Sequence, residues 1–199
     1  MNKEFWDNRY AADEYVFGIE PNVYFKSVID KLPVGRLLVP GAGEGRDAVY
    51  AARLGWDVTC VDMSESGRNK ATLLAEQAEV SLRYIVGSIQ EVNFAPGTFD
   101  AIGSIFFHLP EPVRKEFHHK AIDWLKPGGH FFTELFTPAQ LGNTSGGPKD
   151  IAMLSTSLVL ATDLAALMTI ENYETETSLL EGGGHVGKAN VVRFAGIKN

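Results

Sequence analysis

The stretch Leu37-Leu-Val-Pro-Gly41-Ala-Gly43-Glu-Gly45-Arg46, with Asp62 closing the next apolar run, decides how this chain is read. Arg36-Leu-Leu-Val-Pro40 is a short apolar run that stops at glycines, which is the pattern of a buried strand. Arg46 to Leu54 then carries Ala48, Val49, Ala51, Ala52 and Leu54 at helical spacing and is stopped by Gly55. The glycines therefore sit at a strand-to-helix turn. There they let the backbone approach a ligand closely, and the helix N-terminus favours a carboxylate or phosphate. Trp56-Asp-Val-Thr-Cys-Val61 is a second, β-branched strand, and the acid at its end is placed to accept hydrogen bonds from a ribose diol.

Outward from this turn the alternation continues. Ser64 opens a helix running to about Ala78; Leu82–Val86 is a third strand and Phe99–Ile105 a fourth. Glu111-Pro-Val starts a helix with Pro112 in its first turn, ending near Leu125. Lys126-Pro-Gly-Gly129 then makes a tight turn into strand five, His130–Phe136. Strands alternating with helices predict a parallel sheet with right-handed crossovers.

Thr137–Asp150 breaks the pattern as a long Gly, Pro, Asn, Ser and Thr loop, of a length that is usually functional or disordered. A helix over Ser157–Met168 and strands over Thr169–Leu180 and Lys188–Ile197 follow. Glu181-Gly-Gly-Gly-His-Val-Gly187 joins those strands too tightly for a crossover helix, so they should pair antiparallel. The predicted fold is α/β: a Rossmann-like sheet, mostly parallel, with an antiparallel C-terminal hairpin and helices on both faces. Without repeat or linker, 1–199 reads as one domain. Within it, 1–30 is an N-terminal lid segment, 36–136 a cofactor-binding core and 137–199 a substrate-side region.

Composition narrows the function. A domain of 199 residues hides roughly 70% of its unfolded surface and needs neither disulfide nor metal to hold a core. A net charge of −7, with no basic run, gives no general attraction to phosphates, so a nucleic-acid partner is not expected. The single cysteine, Cys60, excludes an internal disulfide and a multi-cysteine metal site; it reads as a small buried strand residue, and no metal ligand is assigned. Met-Asn-Lys-Glu-Phe-Trp-Asp is too polar for a signal peptide and no apolar run is long enough to span a membrane, so a cytoplasmic protein without membrane association is expected. Nothing in the sequence fixes an oligomeric state.

A ribose is common to dinucleotides and to S-adenosylmethionine, and the glycine spacing separates them. The dinucleotide fingerprint has glycine at the sixth position, where this chain has Arg46. Gly-x-Gly-x-Gly suits a ligand with no pyrophosphate to cradle. An NAD-dependent oxidoreductase is disfavoured on this ground, and again by the terminal hairpin.

At these residues the sequence resembles class I S-adenosylmethionine-dependent methyltransferases, and within them the tellurite-resistance and thiopurine methyltransferase-like branch. Further matching stretches are Phe5-Trp-Asp-Asn-Arg-Tyr10, Phe17-Gly-Ile-Glu-Pro-Asn22, Phe106-Phe-His-Leu-Pro110, Leu125-Lys-Pro-Gly-Gly129 and Glu181…His185…Gly187-Lys-Ala. The resemblance implies that Gly41, Gly43 and Gly45, with Arg46 after them, pass beneath the methionine part of the cofactor. It implies that Asp62 holds the ribose and Met63 packs on adenine. Ser88 and Ile89 should border the adenine edge, and Ile105 with Phe106 the methionine end. Two positions depart from the family pattern: Val39 replaces a strand-one acid, and Ser88 replaces the adenine-edge acid.

On the substrate side, Trp6, Tyr10, Tyr15 and Phe17 form an aromatic N-terminal segment. It is either a lid helix packed on the core or a cover whose aromatic faces attract the sulfonium, Trp6 and Tyr10 then being cofactor contacts. His108 follows strand four, at the sheet edge where ligands bind, and His185 lies in the glycine-flanked hairpin, outside the structural core; these are the catalytic candidates. Glu134 points into the pocket or along its edge, Asn143–Lys149 forms a rim or a simple solvent loop, and His118 and His119 read as solvated. The expected activity is methyl transfer from S-adenosylmethionine to a small molecule, with a thiol or chalcogen compound as the soft acceptor that needs little help from a base. A protein that holds S-adenosylmethionine without catalysis is the alternative.

Overall fold

The computed structural model describes residues 2–199. Strand β1 (Arg36–Pro40) lies at the centre of the fold. It is flanked by β2 (Asp57–Asp62) and β3 (Arg83–Val86) on one side, and by β4 (Phe99–Ile105) and β5 (Leu125–Phe136) on the other. The terminal strands β6 (Leu167–Glu181) and β7 (His185–Lys198) complete seven strands in the order β3-β2-β1-β4-β5-β7-β6. β1 to β5 pair parallel, and β7 enters antiparallel to both β5 and β6. This is the predicted fold class. Chains with this fold reverse their strand order between β1 and β4, and there the crossovers leave a crevice at the carboxyl edge.

The central strands β1 and β4 are apolar because both faces are covered. Leu37 and Val39 pack with Cys60, Ala101 and Phe132 under α2 (Val23–Ile29) and α3 (Arg46–Arg53). Leu38, Ile102, Phe131 and Phe194 face the opposite way, under α5 (Glu111–Trp124) and α6 (Ser157–Asp163). α4 (Glu65–Gln77) packs on α3 through Val49, Leu74 and Ala75, with Ser64 accepting from Gly67 N–H as its N-cap.

Several elements depart from the sequence reading. Within 1–30 there are two helices, α1 (Lys3–Arg9) and α2, and α2 belongs to the core: Phe25 and Ile29 are buried under the sheet. Lys126–Gly129 lies inside β5 as an irregularity, where the register jumps from Phe99↔Leu125 to Ala101↔His130. The helix expected over Ser157–Met168 ends at Asp163, and Leu167 already pairs with Lys198. The hairpin turn is only Gly182–Gly184, since His185 pairs with Glu181. His118 is buried, not solvated: its helix face packs against the sheet, and Asp163 of α6 meets both His118 Nδ1 (3.1 Å) and Arg114 Nε (2.7 Å). His119 is exposed as expected. No helix among the described residues is long and apolar enough to cross a membrane.

Candidate functional site

A cavity of about 520 Å³ opens at the carboxyl ends of β1, β2 and β4. Its size falls within the usual range for small-molecule sites, roughly 300–1,000 Å³. Of the cofactor candidates, Trp6, Tyr10, Gly41, Gly43, Arg46, Asp62, Met63, Ser88, Ile89 and Ile105 all line it. Gly45 does not; it turns the chain into α3, where any side chain would strike Ala71 Cβ at 2.6 Å.

The floor is the glycine turn. Gly43 has φ +49°, and its N–H donates to Asp62 Oδ2 at 3.0 Å, while Ser64 N–H donates to Asp62 Oδ1 at 2.9 Å. Asp62 is thus fixed in place by backbone donors and keeps its outer lone pairs for a ligand diol. Burial raises its pKa, opposed by these backbone hydrogen bonds.

The roof is the N-terminal segment, and hydrogen bonds hold it down. Asp7 of α1 accepts from Ser64 Oγ (2.8 Å) and Ser66 N–H (3.2 Å) at the start of α4. Val16 and Phe17 N–H groups donate to the buried Glu44, and Arg46 Nη1 donates to Phe17 O. Trp6 and Tyr10 stack at 5.4 Å between ring centroids, and Tyr10 is buried. The hairpin turn closes on the same segment: Gly184 N–H donates to Val16 O at 2.8 Å. Gly182 has φ +54°, and a Cβ there would sit 2.4 Å from Gly18 N. Backbone meets backbone at this point, which accounts for the glycines at 182 and 184.

The far end is aromatic. Phe106 adopts φ +50° at the end of β4, uncommon for a bulky residue and of the kind that collects at functional sites. Its ring stacks on Phe136 at 4.5 Å, and His185 packs against Phe17, Phe106 and Phe136 at 4.5, 4.8 and 5.3 Å. His185 is therefore buried, contrary to the sequence expectation, because the glycines beside it let Phe17 close over the turn: a Cβ on Gly184 would meet that ring at 2.5 Å. Thr144, Gly146, Gly147, Pro148 and Lys149 line this end, so the loop after β5 is a rim.

The two histidines differ in what they have left to offer. His108 Nδ1 donates to Met153 O at 2.9 Å and Nε2 accepts from Phe136 N–H at 3.4 Å. Both nitrogens are engaged, and burial pushes its pKa down to about 4, so it stays neutral. His185 Nδ1 donates to Glu181 Oε2 at 3.0 Å, and its Nε2 has no hydrogen-bond partner among the described residues.

Glu134 is not at the cavity wall. It is fully buried, accepting from Asn22 Nδ2 (2.8 Å) and Arg193 Nε, and is thereby removed as a proton acceptor for a ligand. The same Asn22 Nδ2 donates to Glu181 Oε1 (2.9 Å), and Arg46 Nη2 donates to Glu181 Oε2 (2.9 Å). Sequence reading missed Glu181 as a site residue, and with it Asn22, Glu44 and Asp47. Their signal lies in the partnering of distant segments, which no local pattern carries.

The electrostatics select the ligand. Asp47 and Asp62 lie at the glycine turn, where Glu44 is paired with Lys70 Nζ at 2.7 Å and Arg46 Nη2 with Glu181 at 2.9 Å, while Arg9 lines the cavity over the Phe17 ring. A pyrophosphate at the turn would meet the carboxylates of Asp47 and Asp62. The residues that would hold a zwitterionic amino acid carrying a sulfonium are in the same lining: the aromatic faces of Trp6 and Tyr10 for the cation, Met63 and Ile89 for an adenine and Asp62 for a diol.

Comparison with known proteins agrees with this fold. Residues 38–129, a little under half of the chain, match the family described as a methyltransferase domain. A ubiquinone biosynthesis O-methyltransferase from Xanthomonas campestris pv. campestris is 32% identical over 128 residues, covering 62% of this chain and 53% of the relative. The chain spans about half the length of the ubiquinone biosynthesis O-methyltransferases it matches. Among solved structures, one from work on the conversion of a disulfide bond into a thioacetal group during echinomycin biosynthesis superposes with a TM-score of 0.82. Identity there is 13%, over 99% of this chain and 91% of that one. TehB from Haemophilus influenzae gives 0.74 at 16% identity, over 99% and 67%.

Proposed function

We propose that this chain is a methyltransferase that binds S-adenosylmethionine in the cavity above the glycine turn and methylates a small molecule at its aromatic end. The observation that carries this reading is the glycine turn with Asp47 and Asp62 at its edge, Glu44 being paired with Lys70 and Arg46 with Glu181, a setting that suits a sulfonium better than a diphosphate. When bound, the cofactor supplies the methyl group: the acceptor's lone pair forms the new bond as the carbon–sulfur bond breaks, and the electron pair stays on sulfur to leave S-adenosylhomocysteine. The chain's own residues align and desolvate. Asp62 and the glycine turn fix one end, and Trp6, Tyr10 and Phe17 exclude water above it, so that positioning supplies several kcal/mol of the barrier reduction.

The acceptor class we favour is a thiol or related chalcogen compound, as in the tellurite-resistance and thiopurine-like branch. Phe106, Phe136 and Phe17 give a polarisable, poorly solvated wall for a soft nucleophile, and the echinomycin neighbour concerns chemistry at disulfide sulfur. A hydroxyl acceptor is the second reading, favoured by the relatives named O-methyltransferases and by the unpaired Nε2 of His185. On the sequence reading the reaction takes place in the cytoplasm. Mass-spectrometric detection of methylated products from a panel of thiols, selenite, tellurite and phenols separates the two readings. Binding of S-adenosylmethionine with no product from any of them would support a non-catalytic cofactor-binding protein instead.

Asp62→Ala is expected to weaken cofactor affinity by about 1.5–3 kcal/mol, the range for losing a hydrogen bond to a charged acceptor. Calorimetric titration with S-adenosylhomocysteine checks this; unchanged affinity would remove Asp62 from the ribose site.

A further inference from the structure

We infer that His185 takes the proton from the acceptor's nucleophilic atom, that Glu181 is its positioning residue, and that the acceptor is therefore a hydroxyl or thiol that still carries its proton near neutrality. The inference rests on the methyl-transfer reading above and adds to it the fate of the proton.

Glu181 and His185 face each other across the hairpin as a register pair. The carboxylate accepts from His185 Nδ1 at 3.0 Å, which in a neutral imidazole leaves the lone pair on Nε2. Among the described residues that nitrogen has no partner, yet it is not one of the buried side-chain polar atoms left unsatisfied there, which are Trp56 Nε1 and Asn172 Oδ1. It therefore opens onto the cavity that His185 lines. Gly146 keeps that edge clear: a Cβ there would stand 2.4 Å from His185 Cδ2 and 3.0 Å from Nε2.

Glu181 is held as a carboxylate. Burial raises its pKa, but the hydrogen bond from His185 and the charge and hydrogen bond of Arg46 outweigh this and hold it below the usual carboxylate range. Orienting one ring nitrogen with a buried carboxylate and aiming the other at the reacting atom is the arrangement of a general base. The other groups around the ring do not compete. Phe17, Phe106 and Phe136 carry no charge, Arg46 and Asn22 are committed to Glu181, and Glu134 is paired with Arg193. His108 is neutral, and Lys149 stands exposed on the loop rim.

In the balanced step, the acceptor's X–H bond breaks as X–CH₃ forms. Its proton passes to His185 Nε2, the imidazolium is stabilised by Glu181, and the proton leaves to solvent with the product. A soft anion already free of its proton would have no use for this pair.

The test uses the full chain with S-adenosylmethionine and two probes, benzyl mercaptan and catechol, whose thiol and hydroxyl are both protonated at neutral pH. Wild type, His185→Gln and Glu181→Gln are compared from about pH 6 to about pH 11, a span bracketing ordinary thiol and phenol values. Calorimetry with S-adenosylhomocysteine is run on each. At pH 7, His185→Gln should lower kcat/KM on the probe that is methylated by roughly 10²–10⁴-fold, the usual contribution of a positioned base. The deficit should shrink as pH rises past the probe's own pKa, because the nucleophile then arrives deprotonated. Glu181→Gln should show a smaller loss with the same pH rescue. A thiol-only or hydroxyl-only response identifies the acceptor.

An equal deficit at every pH, or none, would overturn the inference while leaving the methyltransferase reading intact. So would methylation of neither probe by a wild type that binds S-adenosylhomocysteine. Failure of the wild type to bind S-adenosylhomocysteine would instead take down the cofactor reading and this inference with it. Because Glu181 also holds Arg46, a poorly folded Glu181→Gln protein leaves the decision to His185→Gln.

Discussion

Gly43→Val is expected to lower affinity for S-adenosylhomocysteine by on the order of 100-fold or more, about 3 kcal/mol at 1.4 kcal/mol per tenfold. Two effects add. The backbone at residue 43 has φ +49°, a region a β-branched residue strongly disfavours. A Cβ built there also lies 2.8 Å from Tyr10 Oη, so the side chain enters the space between the floor and the roof of the cavity. Either the loop reshapes, losing the Gly43 N–H hydrogen bond that steadies Asp62, or Tyr10 swings out and uncovers the site. The core lies below this turn, so circular dichroism should still show a cooperative melt. A folded Gly43→Val protein with unchanged affinity would show that the ligand binds elsewhere.

Arg46→Met is expected to destabilise the fold by about 3–5 kcal/mol, the usual result of stripping one partner from a buried ion pair. The Arg46 and Glu181 side chains are 11% and 7% exposed, so solvent cannot replace the lost guanidinium. Methionine keeps much of the volume but leaves Glu181 with only Asn22 and His185, and frees Phe17 O. One residue thus joins the glycine turn, the N-terminal segment and the terminal hairpin. Chemical denaturation measures the loss; a change under 1 kcal/mol would mean the three segments are held independently.

The parallel half of the fold was legible because β1, β2 and β3 are short runs stopped by glycine or acid and the crossover helices have their own period. The glycine turn and Asp62 were legible for the same reason: strand, turn and strand end are adjacent in sequence. What failed did so where a residue's partner is remote. His118, among Arg114, Lys115 and Lys120, reads as surface, and only Asp163 of α6 makes it core. His185, between glycines, reads as free of the core, and those same glycines admit Phe17 and bury it. Glu134 reads as a strand acid at the pocket, and Asn22 and Arg193 draw it inside. α2 is too short to show a helical period, and its burial comes from Phe132 on the sheet.

The ligand of the glycine turn decides the account. The most direct measurement is a thermal melt with S-adenosylmethionine, S-adenosylhomocysteine and NADH in turn. The two sulfur nucleosides should raise the melting temperature, by an amount corresponding to about 2.7 kcal/mol at 100 times the dissociation constant, and NADH should leave it unchanged. Stabilisation by NADH, with none from either sulfur nucleoside, would contradict the account.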